Sequence, residues 1–153
     1  YLKIEPKHNA SFLFDELAEL AASLTLTTLK NFTSLQPLPQ VGANATHCKK
    51  IKKDDGLVSF EQSAKSILTQ YKALSPWPGL FIESGLKLLE LELFSYEDEV
   101  IAGVIKAIKP EGVIVTCKKG SLLLKTLQPV SKNAMNAQDY IRGKRLGIGD
   151  SLV

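Results

Sequence analysis

Residues 73–79 read Ala73-Leu74-Ser75-Pro76-Trp77-Pro78-Gly79, and they divide the chain into two kinds of pattern. The segment holds the single tryptophan of the sequence, set between two prolines and followed by a glycine. Each proline fixes φ at about −65° and removes a backbone donor. Each also pushes the residue before it out of the α region. The helical spacing of apolar residues that runs up to Leu74 therefore stops here. No central strand can pass through the segment, and a bulky indole stands on a stiff corner. Upstream, apolar residues recur every three or four positions; downstream they alternate or come in short runs bounded by glycine, the mark of strands.

Next to the corner on the upstream side, Ala64, Ile67, Leu68, Tyr71 and Leu74 share one face of a helix predicted over 61–74, with Ser59 as its candidate cap. On the downstream side, strands over 80–83 and 86–94 flank Ser84-Gly85, a two-residue hairpin signal. Glu90, Leu91, Glu92 and Leu93 alternate, so one face of that strand is wet and the other dry. Further strands are predicted over 103–108, 113–117 and 122–127, with turns at Pro110-Glu111-Gly112 and Lys118-Lys119-Gly120. A short helix over 136–142 and a flexible turn at Gly147-Ile148-Gly149 complete the pattern. The expected fold is mainly β with helices (α+β). Its centre is a small OB-like barrel of about five or six strands over 56–153, closed so that no strand edge is exposed. A roll or a sandwich is the alternative. Trp77 is expected to cap the helix and plug the barrel end, and stacking on a nucleic-acid base is the functional alternative.

Farther upstream, 9–30 predicts an amphipathic helix with Asn9 as N-cap. Leu13, Leu17, Leu20 and Leu24 form its stripe, widened by Phe14, Ala18 and Ala21. Residues 2–4 could end a strand. Residues 31–55 are polar and irregular, with Pro37, Pro39 and Gly42, and are too long for a connection inside a compact domain. They read as a linker, leaving 1–30 as an orphan helix. Uncovered, the stripe over 13–24 would pair with another chain, drive a dimer or swap, or lie against the barrel.

Composition narrows the classes. With 44% hydrophobic and 23% charged residues over 153 positions, the chain can bury a core and is no disordered tail. No apolar run approaches the roughly 20 residues needed to span a bilayer, so no membrane partner is expected. The start lacks a basic segment followed by an apolar one. It also lacks Met, which suggests a piece of a longer chain. Cys48 and Cys117 are distant in sequence, pointing to a reducing cytoplasm. Adding His8 and His47 gives no metal-ligand spacing. There is no nucleophile elbow, phosphate loop or dinucleotide fingerprint. Glu97, Asp98 and Glu99 read as a solvated acidic loop. No catalytic residue, metal or cofactor is therefore assigned to this chain. The net charge of +3 is clustered. Lys49, Lys50, Lys52 and Lys53 fall within five positions, Lys118 and Lys119 sit at a hairpin tip, and Lys132, Arg142, Lys144 and Arg145 lie near the end. These are either three solvated patches or one positive surface for nucleic acid.

Four segments, in order, resemble the C-terminal half of the methionyl-tRNA formyltransferase family. They are Asp15-Glu16-Leu17-Ala18-Glu19-Leu20; Thr46 to Gly56, with Lys50-Ile51-Lys52-Lys53-Asp54-Asp55-Gly56; Ala73 to Gly79; and Leu127-Gln128-Pro129 with Lys132, Met135, Ala137, Asp139 and Arg142-Gly143. The chain departs from the family pattern at Asn133, at His47-Cys48 and at Phe60. The resemblance implies that 1–30 is the end of a Rossmann-like catalytic domain, 31–55 a linker, and 56–153 a tRNA-binding domain. It implies a parent enzyme that moves a formyl group from 10-formyltetrahydrofolate to the methionine amino group of initiator tRNA. The parent's catalytic Asn, His and Asp would lie in an N-terminal domain missing here, so this chain alone should be inactive. The tRNA contacts would come from the clustered cations, with Lys50, Lys52, Lys132 and Arg142 on motif positions and Pro76, Trp77, Pro78 and Gly79 as a structural corner. Two other readings stay open: an accessory domain of another formyltransferase acting on a sugar nucleotide or folate, and a protein-interaction module using the 13–24 stripe.

Overall fold

The computed structural model describes residues 1–97 and 101–152, apart from the side chain of Asn44. The chain divides into two units, Tyr1–Ile51 and Lys52–Val153.

The first unit is built on helix α1, Ala10–Lys30. Asn9 is its N-cap as expected, the side-chain oxygen accepting the Phe12 N–H at 2.9 Å. At the other end Asn31 Nδ2 donates to the Thr27 carbonyl at 2.8 Å, satisfying a carbonyl the helix leaves over. No residue of α1 is buried. Beyond it come two short 3₁₀ turns, Phe32–Ser34 and Gly42–Asn44. Residues 2–4 do not form the expected strand.

The second unit carries α2 (Ala64–Leu74), β1 (Leu80–Phe81), β2 (Lys87–Ser95), β3 (Ile105–Lys109), β4 (Gly112–Thr116), β5 (Ser121–Gln128), β6 (Met135–Asn136) and α3 (Ala137–Lys144). The cap of α2 is Ser63, whose Oγ accepts the Ser66 N–H at 3.1 Å. The expected cap, Ser59, instead accepts from the Glu61 N–H. The helix cannot start earlier because the backbone of 60–64 is bonded elsewhere. The Lys118 N–H donates to the Phe60 carbonyl at 2.8 Å, and the Ala64 N–H donates to the Lys119 carbonyl at 2.9 Å.

The α+β, mainly β architecture is as expected: a six-stranded antiparallel sheet in the order β1-β2-β5-β4-β3, with β6 on β5. Closure into a barrel is not. Strands β1 and β3 remain the two ends of the ladder, and β1 has only two residues to offer a partner. Both ends are covered by irregular chain. The Val58 N–H donates to the Phe81 carbonyl at 2.9 Å. Along β3, the Ile105 N–H donates to the Asp150 carbonyl at 2.9 Å, the Gly149 N–H to the Ile105 carbonyl at 2.8 Å, and the Leu152 N–H to the Gly103 carbonyl at 2.8 Å. The 147–149 turn expected to be flexible is thus bonded to the sheet. Edge protection is achieved without closure.

The β1–β2 turn is longer than the two residues expected, since the Ile82 N–H donates to the Leu86 carbonyl across Glu83, Ser84 and Gly85. Within β2 a register shift between Leu88 and Glu90 turns Leu89 outward, so Leu88 and Leu91 are both buried three positions apart. The Tyr71 hydroxyl of α2 donates to the Leu89 carbonyl at 3.2 Å and anchors that irregularity. On the wet face Lys125 pairs with Glu92 at 2.6 Å. The inner face packs Ile67 of α2 and Ile141 of α3 with Leu80, Leu88, Ile105, Val115, Leu122 and Leu127. No helix among the described residues is long and apolar enough to cross a membrane.

Candidate nucleic-acid interface

The proline corner meets Gly56, the last residue of the motif that precedes it in the chain. Gly79 sits at φ +75°, a conformation that favours glycine, and its N–H donates to the Leu74 carbonyl at 2.9 Å to end α2. Gly56 lies directly on it: a Cβ at Gly56 would overlap the Gly79 carbonyl oxygen. Gly56 closes a 3₁₀ turn, Lys53–Gly56, in which the Lys52 N–H donates to Asp55 Oδ2 at 2.7 Å. The turn leaves Lys52 and Lys53 exposed beside the corner.

Trp77 is 63% exposed and does not plug the sheet. The prolines set the path of the backbone but leave the ring pointing away from the core, which is closed instead by Leu80 and Ile82 of the following segment. The indole is available for stacking.

A second group of cations lies at the β4–β5 turn. Lys118 and Lys119 are exposed while Cys117 and Gly120 on either side are buried, so the tip is anchored and its ammonium groups face water. Ser63, Lys65, Tyr96, Glu97 and Lys119 line a shallow cleft of about 360 Å³ there. Lys65 and Tyr96 were not singled out from the sequence; the outward face of α2 and the polar end of β2 were the available signals. Glu97 of the acidic run is exposed, and Asp98 and Glu99 lie outside the described residues.

The third group lies around α3. Lys132 follows β5 in a turn held by Gln128, whose Nε2 donates to the Lys132 carbonyl at 3.0 Å. Arg142 and Lys144 occupy the last turn of α3, where cations suit the helix dipole, and Arg145 caps it in the left-handed region at φ 58°. Arg142 pairs with Asp139 at 3.3 Å, both side chains well exposed. Lys49 and Lys50 belong to the first unit and are exposed there, as is Cys48.

Chemistry by acid, base or nucleophile finds little to work with. Among the described residues no group of His, Cys, Asp and Glu is placed to hold a metal ion. Cys117 is fully buried, and burial pushes its thiol up to about 12, away from any thiolate role. Burial also raises Tyr140, keeping its hydroxyl protonated. What the second unit offers instead is separate groups of exposed cations, with the exposed aromatics Trp77 and Tyr96, groups of the kind that hold a phosphate backbone.

Comparison with known proteins agrees with the motifs. The family described as "Formyl transferase, C-terminal domain" matches residues 50–145. The methionyl-tRNA formyltransferase of Wolinella succinogenes is 47% identical over 152 residues, covering 99% of this chain and 50% of the relative. That of Sulfurimonas denitrificans is 44% identical over 151 residues, again 99% and 50%. The chain thus spans about half the length of the curated relatives it matches. Among solved structures, a HypX variant from Aquifex aeolicus superposes with a TM-score of 0.66 at 19% identity, over 92% of this chain and 27% of that one. HypX in complex with tetrahydrofolic acid gives 0.64 at 17% identity, over 84% and 24%. These last two are likenesses of fold.

Proposed function

The chain belongs to the formyl transferase C-terminal domain family, and from that premise we propose that it is the part of a methionyl-tRNA formyltransferase that grips initiator tRNA. The grip is sequence-independent and made by Lys49, Lys50, Lys52, Lys53, Lys118, Lys119, Lys132, Arg142, Lys144 and Arg145. The observation that carries this reading is their exposure: all ten are exposed, and of the ten only Arg142 forms an ion pair with another described residue. Exposed ammonium and guanidinium groups displace the counterions condensed on the phosphates they meet. Formyl transfer from 10-formyltetrahydrofolate would be performed by the half of the relatives that this chain does not span, and the work would be cytoplasmic.

The test is a titration of the chain with initiator tRNA at several salt concentrations. Log K should fall linearly with log salt, by about 0.9 per phosphate neutralised. Replacing Lys118 and Lys119 together by Ala should flatten that slope by up to about 1.8. A salt-insensitive affinity, or no binding at low salt, would overturn the reading and favour an accessory domain without RNA contact.

A further inference from the structure

The cleft beside α3 has a lining that the cations alone do not explain. It measures about 480 Å³ and is bordered by Val130, Met135 and Tyr140 as well as Lys132, Lys144 and Gly143. The lining therefore combines apolar and aromatic side chains with two ammonium groups. Val130 is 63% exposed, an apolar residue where a mere phosphate site would need none. Tyr140 and Met135 are half-buried, so the apolar part of the lining is backed by packing. The turn that carries Val130 and Lys132 is fixed by the Gln128 amide and by Ser131 in the left-handed region at φ 58°. Asp139, the carboxylate in the lining, is already engaged by Arg142 at 3.3 Å. Among the described residues neither Lys132 nor Lys144 has an ion-pair partner. The cleft is left with a net positive lining that is in part apolar.

We propose that this cleft holds one unstacked nucleotide of an RNA strand, its base against Val130, Met135 and Tyr140 and its phosphate between Lys132 and Lys144. The inference rests on the tRNA-gripping role proposed above, and adds to it a single-stranded element that phosphate contacts to a duplex would not supply. A base has an apolar face of the right kind for the apolar lining, and the adjoining phosphate meets the cations. A free anion would leave the apolar lining wet, and a purely apolar partner would strand the two ammonium groups.

The experiment compares the full chain's affinity for a short blunt RNA duplex with that for the same duplex carrying a short single-stranded adenosine overhang, by fluorescence anisotropy at one salt concentration. The overhang should bind about fivefold tighter or better, as one stacked base provides. Gly143→Leu adds a bulky side chain to the cleft lining without changing charge. A Cβ at Gly143 meets nothing within 4 Å, so the variant should fold, and circular dichroism checks this. The readout is the ratio of overhang to duplex affinity, which a general weakening leaves unaltered. The ratio should fall to about one in Gly143→Leu. A ratio of one in the unaltered chain with duplex binding intact overturns the cleft and leaves the cationic grip standing. A ratio that survives Gly143→Leu also overturns the cleft, and no binding to either RNA removes both readings.

Discussion

Gly56 joins two motifs that the linear sequence keeps apart. The Lys50–Gly56 and Ala73–Gly79 segments each read as a local pattern, but the glycine of one is required by the backbone of the other, because a Cβ at Gly56 has no room against the Gly79 carbonyl. Gly56→Ala should lower the stability of the second unit by about 2 kcal/mol, the usual cost of overpacking, seen as a lower denaturant midpoint with an unchanged slope; an unaltered midpoint would show that the corner can give way. Trp77 illustrates the opposite limit. Its backbone was legible from the prolines, but the direction of its ring was not, since that depends on which neighbours already fill the core. Cys117 is a third case, a thiol whose burial raises it from 9.0 to about 12. Because the folded state holds this proton more tightly than the unfolded one, its contribution is complete below about pH 9 and is lost as pH rises from there toward 12. Stability should therefore decline over that alkaline window, and less so in Cys117→Ser. At neutral pH a thiol reagent should label exposed Cys48 alone until the chain is unfolded.

At the level of elements, periodicity located the helices and most strands to within a few residues, because burial of one face leaves a regular trace in sequence. It failed where an element's end is set by a distant partner. Helix α2 begins at Ala64 because the β4–β5 turn has taken the backbone of 60–64. The outward turn of Leu89 is likewise invisible in a run of leucines and is decided by the pairing of β2 with β5. Sheet edges follow the same logic. The bonds from Ile105, Gly149 and Leu152 tie the terminal segment along β3, and Leu152 is itself buried. A chain ending at Ile148 should melt at a lower temperature, having lost about 2 kcal/mol of apolar burial. It should also associate as concentration rises, through the uncovered β3 edge. Melting curves and size-exclusion at several concentrations check both, and an unchanged, monomeric profile would mean that the segment is not an edge guard.

For the molecule as a whole, the two units differ in how much each buries. No residue of α1 is buried, whereas every residue of β4 is. Amide exchange should accordingly be fast across Ala10–Lys30 and slowest in β4 and the first half of β5; protection in α1 matching that of β4 would contradict this difference. The sequence determined the class of fold, the helix-to-strand boundary at the proline corner, the cap at Asn9 and the family, since these depend on local geometry and on residues in fixed order. Only the tertiary structure decided that the sheet stays open, that the corner packs on Gly56, that Trp77 faces water, and that Lys132 and Lys144 share a cleft with Tyr140. Those outcomes depend on which distant backbone groups and side chains compete for the same space and the same hydrogen bonds, and no local pattern records that competition.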